Sequence, residues 1–87
     1  MGYSYEDERE RLFTESGQRM FLSIRDNANR LLNSAGAFTA EKAWSGETGD
    51  TWQMLACIDR LVELGELREV VRSGCWAQHR VFVRGKA

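Results

Sequence analysis

The sequence predicts a small α+β domain in which three helices are followed by a two-stranded β-hairpin. Three observations lead to this fold class: an apolar stripe at helical spacing in residues 17–35, a helix-capping signal at Asp50, and an alternation of apolar and polar residues in 78–84. The 87 residues suffice for one domain. We expect this domain to span residues 16–87, after a charged N-terminal lead-in at residues 1–15.

The lead-in is densely charged, and past its tyrosines the only large apolar side chains of residues 5–15 are Leu12 and Phe13. Acidic and basic residues three and four positions apart would support a short helix. We therefore expect a partly ordered helical segment whose Leu12 end docks on the core. A frayed arm is the alternative.

The helix at residues 17–35 is the clearest element, because its apolar residues recur at intervals of one, three and four positions. Gly36 follows where a glycine in the left-handed conformation commonly ends a helix. The predicted buried stripe consists of Met20, Phe21, Ile24, Ala28, Leu31, Leu32 and Ala35.

Two further helices follow. Residues 38–44 are expected to form a short helix with Thr39 as its N-cap. A third helix should begin after Asp50, because Asp50 and Gln53 have the spacing of a capping box, and it should end at Gly65. Its predicted buried stripe is Leu55, Ile58, Leu61 and Val62.

The C-terminal hairpin is predicted from two β-biased runs, residues 66–71 and 78–84, separated by a turn at residues 72–74. The placement of Trp76 in a strand or in the loop stays open.

Composition limits the classes of function. The formal net charge is −1, with 12 basic and 13 acidic residues, so the chain is not a polycation. Two cysteines cannot build a disulfide framework, and no apolar run is long enough to span a membrane. We expect a cytoplasmic protein without membrane partner, cofactor or metal. His79 with Cys57 and Cys75 lacks both zinc-ligand spacing and a group to orient a catalytic base, so we expect no enzymatic activity.

The order of helix, short helix, turn, helix and hairpin is similar to that of winged helix-turn-helix domains. The run from Trp52 to Arg68 resembles the family's spaced aliphatic residues, which lead through Leu61-x-x-x-Gly65 to an apolar residue two places on. The resemblance covers residues 17–84, and the chain also looks like small bacterial and prophage proteins. It implies a regulatory DNA-binding protein whose third helix enters the major groove and whose wing contacts phosphates.

The resemblance also implies which residues would bind. On the third helix, the side chains opposite the apolar stripe or at its N-terminal end would contact DNA, or another partner: Thr51, Trp52, Gln53, Ala56 and Arg60. In the wing, the backbone contacts would come from Arg68, Arg72, Arg80 and Arg84. Glutamine can hydrogen-bond adenine and arginine can hydrogen-bond guanine, which suits a helix in the major groove.

The distribution of charge leaves a second hypothesis open. Residues 47–64 contain four acidic residues and one basic residue, whereas residues 65–87 contain five basic and two acidic residues. A helix that enters a groove lined by phosphates usually carries cations. The alternative is therefore a winged-helix scaffold for protein–protein contact, as an adaptor, a subunit or a phage-type inhibitor, through its acidic third helix. A homodimer formed through the lead-in would be compatible with either function.

Overall fold

The computed structural model describes residues 2–70 and 80–85. These residues form a small α+β domain, which confirms the predicted class at that level. The predicted turn at 72–74, Arg72, Cys75, Trp76 and His79 lie outside the described residues. In chain order the elements are α1 (Tyr5–Glu8), a 3₁₀ helix (Arg9–Phe13), α2 (Glu15–Ala35), β1 (Ala37–Thr39), α3 (Ala40–Ala43), α4 (Thr51–Glu63), β2 (Leu67–Val70) and β3 (Val81–Arg84).

The long helix α2 begins two residues before the predicted start and ends where the sequence indicates. Thr14 caps it, because its side-chain oxygen accepts a hydrogen bond from the backbone N–H of Gly17. Gly36 follows in the left-handed conformation with φ 79°, and its N–H donates to the carbonyl oxygen of Leu32. Most of the predicted stripe is buried, with Ile24 and Ala28 almost fully so. The prediction is wrong for Ala35, which is exposed in the last turn of the helix.

The short helix is much shorter than predicted, because its first residues form a strand. Residues Ala37–Thr39 are β1, which pairs antiparallel with β3, and Phe38 stacks on Phe82 with 5.8 Å between ring centroids. Only Ala40–Ala43 is helical. Thr39 does occupy the N-cap position, but its side chain makes no capping hydrogen bond.

The predicted hairpin strands pair as expected, with Leu67 opposite Arg84 and Val70 opposite Val81. The sheet of the described residues has the order β1-β3-β2, so β3 is its central strand. β1 adds a third strand to the two that the sequence predicts.

Helix α4 begins at Thr51 with Asp50 as its cap, since an Asp50 carboxylate oxygen accepts a hydrogen bond from the N–H of Trp52 at 2.9 Å. The second half of the predicted capping box is not made. The side-chain oxygen of Gln53 instead accepts from the guanidinium of Arg11 at 3.3 Å. Helix α4 packs against α2, against α1 and against the 3₁₀ helix.

Candidate interaction surface

The N-terminal segment, which we define as residues 2–13, lies across α4. The hydroxyl of Tyr3 donates to a carboxylate oxygen of Asp59 at 2.6 Å, and the hydroxyl of Tyr5 donates to Glu63 at 2.8 Å. At the other end of the helix, Arg11 donates to Asp50 at 2.7 Å. The segment therefore contacts α4 from its first turn to its last.

The same segment is anchored in the core. Leu12 is 1% exposed and belongs to the main hydrophobic cluster. A close approach to α2 is possible because residue 17 is glycine: a Cβ there would lie 2.2 Å from the carbonyl oxygen of Arg11. The lead-in thus forms a docked helical segment rather than a frayed arm.

Glu63 is the most heavily bonded carboxylate of α4. It accepts hydrogen bonds from Arg60 at 2.5 Å, from Tyr5 and from Arg9 at 3.2 Å. These bonds, the one from Arg60 foremost, lower the pKa of Glu63 to about 2. The guanidinium groups of Arg9 and Arg60 also lie 5.2 and 5.5 Å from the centroid of the Phe13 ring.

The α4 residues predicted to face a partner therefore differ in how exposed they are. Thr51 and Trp52 are exposed, Trp52 to 41%. Gln53 and Arg60 are half-buried beside the N-terminal segment. The expectation that Ala56 faces outward is wrong, because Ala56 is 0% exposed. The physical reason is that helix α4 is covered on both sides, by the core and by the N-terminal segment.

Arg80 also has a different environment from the one expected of a wing residue. Its guanidinium donates to Asp59 of α4 at 2.7 Å and to Glu69 of β2 at 2.9 Å, and its side chain is 19% exposed. Burial disfavours the charged form, but the hydrogen bonds that Arg80 donates to Glu69 and Asp59 outweigh it and raise the pKa of Arg80 above its usual value. Since Asp59 also accepts from Tyr3, one network joins the N-terminal segment, α4 and the sheet.

The acidic character of α4 in the sequence is balanced inside the fold. Asp50 is paired with Arg11, Asp59 with Arg80, and Glu63 with both Arg9 and Arg60. The hydrogen bond from Arg11 also lowers the pKa of Asp50. Of these ion pairs, only the one between Asp59 and Arg80 joins residues 47–64 to residues 65–87. Both carboxylates of α4 are paired, so α4 does not present an unpaired acidic face.

Basic side chains without a carboxylate partner among the described residues gather at the C-terminal half of α2. Arg30 of α2 and Lys42 of α3 line a groove of about 310 Å³ between these helices. Arg84 of β3 donates to the side-chain oxygen of Asn33 at 3.1 Å, and Asn33 is three positions after Arg30. We name Arg30, Lys42 and Arg84 the cationic surface. The rest of the groove lining is Asn27, Leu31, Ser34 and Ser45, which includes no carboxylate.

Of the other wing arginines, Arg68 is outside this surface. Arg68 is exposed on β2. Leu67 pairs with Arg84, so Arg68 points to the opposite face of the sheet, because neighbouring residues in a strand alternate. Arg72 lies outside the described part of the chain.

Two features of the described residues bear on metal binding and on nucleophilic cysteine chemistry. They contain no group of three or more His, Cys, Asp and Glu side chains arranged to hold a metal ion. Cys57 of α4 is 0% exposed. Burial, followed by the nearby Glu47, raises the pKa of its thiol to about 12, which opposes formation of a reactive thiolate.

Comparisons with other proteins do not add to this picture. The chain matches no family model, no curated protein and no solved structure. Among the described helices, none combines the length and the apolar character needed to cross a membrane.

The residues that sequence reasoning missed are those of the N-terminal segment that bind α4: Tyr3, Tyr5, Arg9 and Arg11. One signal could have indicated them. Residues 54–58 are five consecutive apolar residues, Met-Leu-Ala-Cys-Ile, and all five are buried. A helix that is apolar all round is buried all round, so a second covering element had to exist.

Proposed function

We propose that this protein binds double-stranded DNA without enzymatic activity, as a regulatory protein, and that the cationic surface supplies its phosphate contacts. The order of α2, α3, α4 and hairpin is that of the winged helix-turn-helix resemblance, with β1 added between α2 and α3. The departure from that family lies in α4, whose groove-facing side is covered. The proposed contacts therefore come from α2, α3 and β3.

The observation that carries the proposal is the grouping of Arg30, Lys42 and Arg84, which have no carboxylate partner among the described residues. Arg68, which also lacks such a partner there, lies on the other face of the sheet. Arg9, Arg11 and Arg80 neutralise carboxylates of the protein itself. Arg30 and Lys42 instead share a groove with hydroxyl and amide groups. Arginine, lysine, serine and asparagine are the side chains that commonly contact DNA phosphates.

Asn27 positions part of this surface. Its side-chain nitrogen donates to the carbonyl oxygen of Ala43 at 3.1 Å, which fixes α3 against α2. Its side-chain oxygen accepts a hydrogen bond from Arg30. The guanidinium of Arg30 and the ammonium of Lys42 are thereby presented to one groove from two helices that are held together.

The test is a titration of a mixed-sequence duplex, followed by fluorescence anisotropy at about 50 mM salt, where phosphate-mediated binding is strong. The double reversal Arg30→Glu with Lys42→Glu should weaken binding at least about tenfold and reduce the salt slope by about 2. The matched control, Arg19→Glu with Arg68→Glu, changes the net charge equally on other surfaces. Equal loss in both double variants would show that only total charge matters and would contradict the proposal.

A protein partner is the second candidate, and the exposed aromatic side chains favour it. Trp52 is 41% exposed at the start of α4, and Phe13 is 52% exposed at the end of the 3₁₀ helix. Tryptophan is enriched among residues that dominate protein interfaces. Partners that stay bound to the tagged chain after nuclease treatment, and are lost with Trp52→Ala but kept with Leu22→Ala, would support this function. Loss on nuclease treatment alone would support DNA.

A further inference from the structure

The bend that places the N-terminal segment on α4 is confined to a short stretch of chain. A 3₁₀ helix of five residues, Arg9–Phe13, leads into Thr14, which has an extended backbone with φ −85° and ψ 164°. Runs of 3₁₀ helix longer than about four residues are uncommon, and such stretches between α-helices often mark hinges. Thr14 is the one residue between the 3₁₀ helix and α2.

Local hydrogen bonds hold the bend itself. The hydroxyl of Thr14 donates to the carbonyl oxygen of Arg11 at 3.0 Å, and the N–H of Gly17 donates to the side-chain oxygen of Thr14 at 3.0 Å. The side-chain nitrogen of Gln18 donates to the carbonyl oxygen of Leu12 at 2.6 Å. The sequence also supports a straight continuation, because Asp7, Arg11 and Glu15 alternate in charge at four-residue spacing. Residues 5–35 are therefore compatible with a single helix as well as with the bend.

Opening the bend would remove the N-terminal segment from its own α4. A continuous helix rises 1.5 Å per residue, so Tyr5 would lie about 15 Å beyond the start of α2. Leu12 would leave the core, and Asp59 and Glu63 would lose the tyrosine hydroxyls that they bind in the bent form. The vacated face of α4 would then be complementary to one known sequence, the N-terminal segment of a second copy.

We propose that this protein forms a two-fold dimer in which each copy lays residues 2–13 across the α4 of the other. The α4 face presents carboxylates to a segment that carries tyrosine hydroxyls and arginines, and it receives an apolar anchor, Leu12. The exchange is reciprocal, so the same contacts form twice and the interface closes on itself. The bent monomer and the exchanged dimer differ in the backbone of residues 9–14, and concentration decides between them.

A pair of charge-reversed chains tests the exchange. Arg9→Glu and Glu63→Arg each place two like charges at the contact between residues 9 and 63. In the natural chain the Nε of Arg9 lies 3.2 Å from a carboxylate oxygen of Glu63 there. In a mixed exchanged dimer both contacts join opposite charges again. Mixing the two variants should therefore produce heterodimers, seen by native mass spectrometry and sedimentation, with a dissociation constant about tenfold or more below that of either variant alone.

The control mixture combines Glu15→Arg with Arg19→Glu, because that ion pair lies within α2 and exchange does not alter it. It should give only a statistical mixture of dimers. Absence of an excess of heterodimers from the Arg9→Glu and Glu63→Arg mixture would overturn the proposal.

A second measurement uses the natural chain and does not depend on variants. Sedimentation equilibrium from about 10 μM to about 1 mM should show a dimer that grows with concentration. In a mixture of isotope-labelled and unlabelled copies, the Leu12 methyl groups of one copy should show nuclear Overhauser contacts to α4 of the other. A monomer across this range, or contacts within single copies only, would refute the exchange.

Discussion

Replacing Arg80 by alanine should destabilise the fold rather than act first on binding. The variant leaves two carboxylates without their common partner: Asp59, whose side chain is 15% exposed, and Glu69, which is 33% exposed. It also removes the guanidinium that lies 5.1 Å from the centroid of the Phe82 ring. Tyr3 still donates to Asp59, so the loss is partly compensated.

The magnitude follows from this geometry. Removing one partner of a fully buried pair costs about 3–5 kcal/mol, and the partial exposure of both carboxylates together with the bond from Tyr3 reduces this to about 2–3 kcal/mol. Urea denaturation measures it. With a slope of about 1 kcal/mol per molar urea for a chain of this size, the midpoint should fall by about 2 M or more.

Two further variants make the measurement decisive. Arg84→Ala removes an exposed side chain with one hydrogen bond to Asn33 and should change the free energy of unfolding by less than about 0.5 kcal/mol. Adding Asp59→Asn to Arg80→Ala should recover part of the loss, because the unpaired carboxylate is then neutral. A loss below about 1 kcal/mol in Arg80→Ala, or no recovery in the double variant, would refute the reasoning.

Three other predictions concern single sites. Gly17→Ala should lower the free energy of unfolding by about 1–3 kcal/mol, because the added Cβ would lie 2.2 Å from the carbonyl oxygen of Arg11. The control Gly2→Ala should have no effect in the same thermal melts, because there is open space around residue 2. The pKa of Glu63 is lowered to about 2, so its stabilising contribution is complete above the ordinary glutamate pKa and should be lost as the pH falls from about 4 towards 2. Urea midpoints of the natural chain and of Glu63→Gln should therefore converge over that range, and a constant difference would contradict the assignment. Cys57, studied with the other cysteine replaced by serine, should resist alkylation at pH 8 in the native state and react once urea unfolds the chain, because burial raises its pKa to about 12.

The elements that could be predicted from the sequence are those whose signals are local. Helix α2 is marked by its own periodicity and by Gly36, and α4 by the side chain of Asp50. The strand β1 could not be recognised in this way. Its three residues pair with β3, which lies more than forty positions later, and Phe38 is held by its stack on Phe82. Local preference in residues 38–44 favours a helix, and tertiary pairing overrides it.

In the candidate interaction surface, too, local features could be predicted from the sequence and long-range contacts could not. The sequence indicates which residues of α4 lie opposite its main apolar stripe, but whether such a face meets solvent depends on distant parts of the chain. Tyr3 and Asp59 are 56 positions apart, and Arg11 and Asp50 are 39 apart. The count of charges along the sequence likewise carries no information about which of them neutralise each other in space.

The order of the strands in the sheet has a consequence for how the protein folds during its synthesis on the ribosome. β3 is the strand that both β1 and β2 require, yet it follows them in the sequence. Neither edge strand can pair before residues 81–84 have been synthesised, and Phe82, 0% exposed in the finished fold, is the residue that completes the core beside Phe38. A chain that ends before residue 81 can still pack α2 against α4, but it leaves Phe38 without its stacking partner and both edge strands without hydrogen-bond partners. We therefore expect such a shortened chain to be cleaved by proteases faster than the full chain.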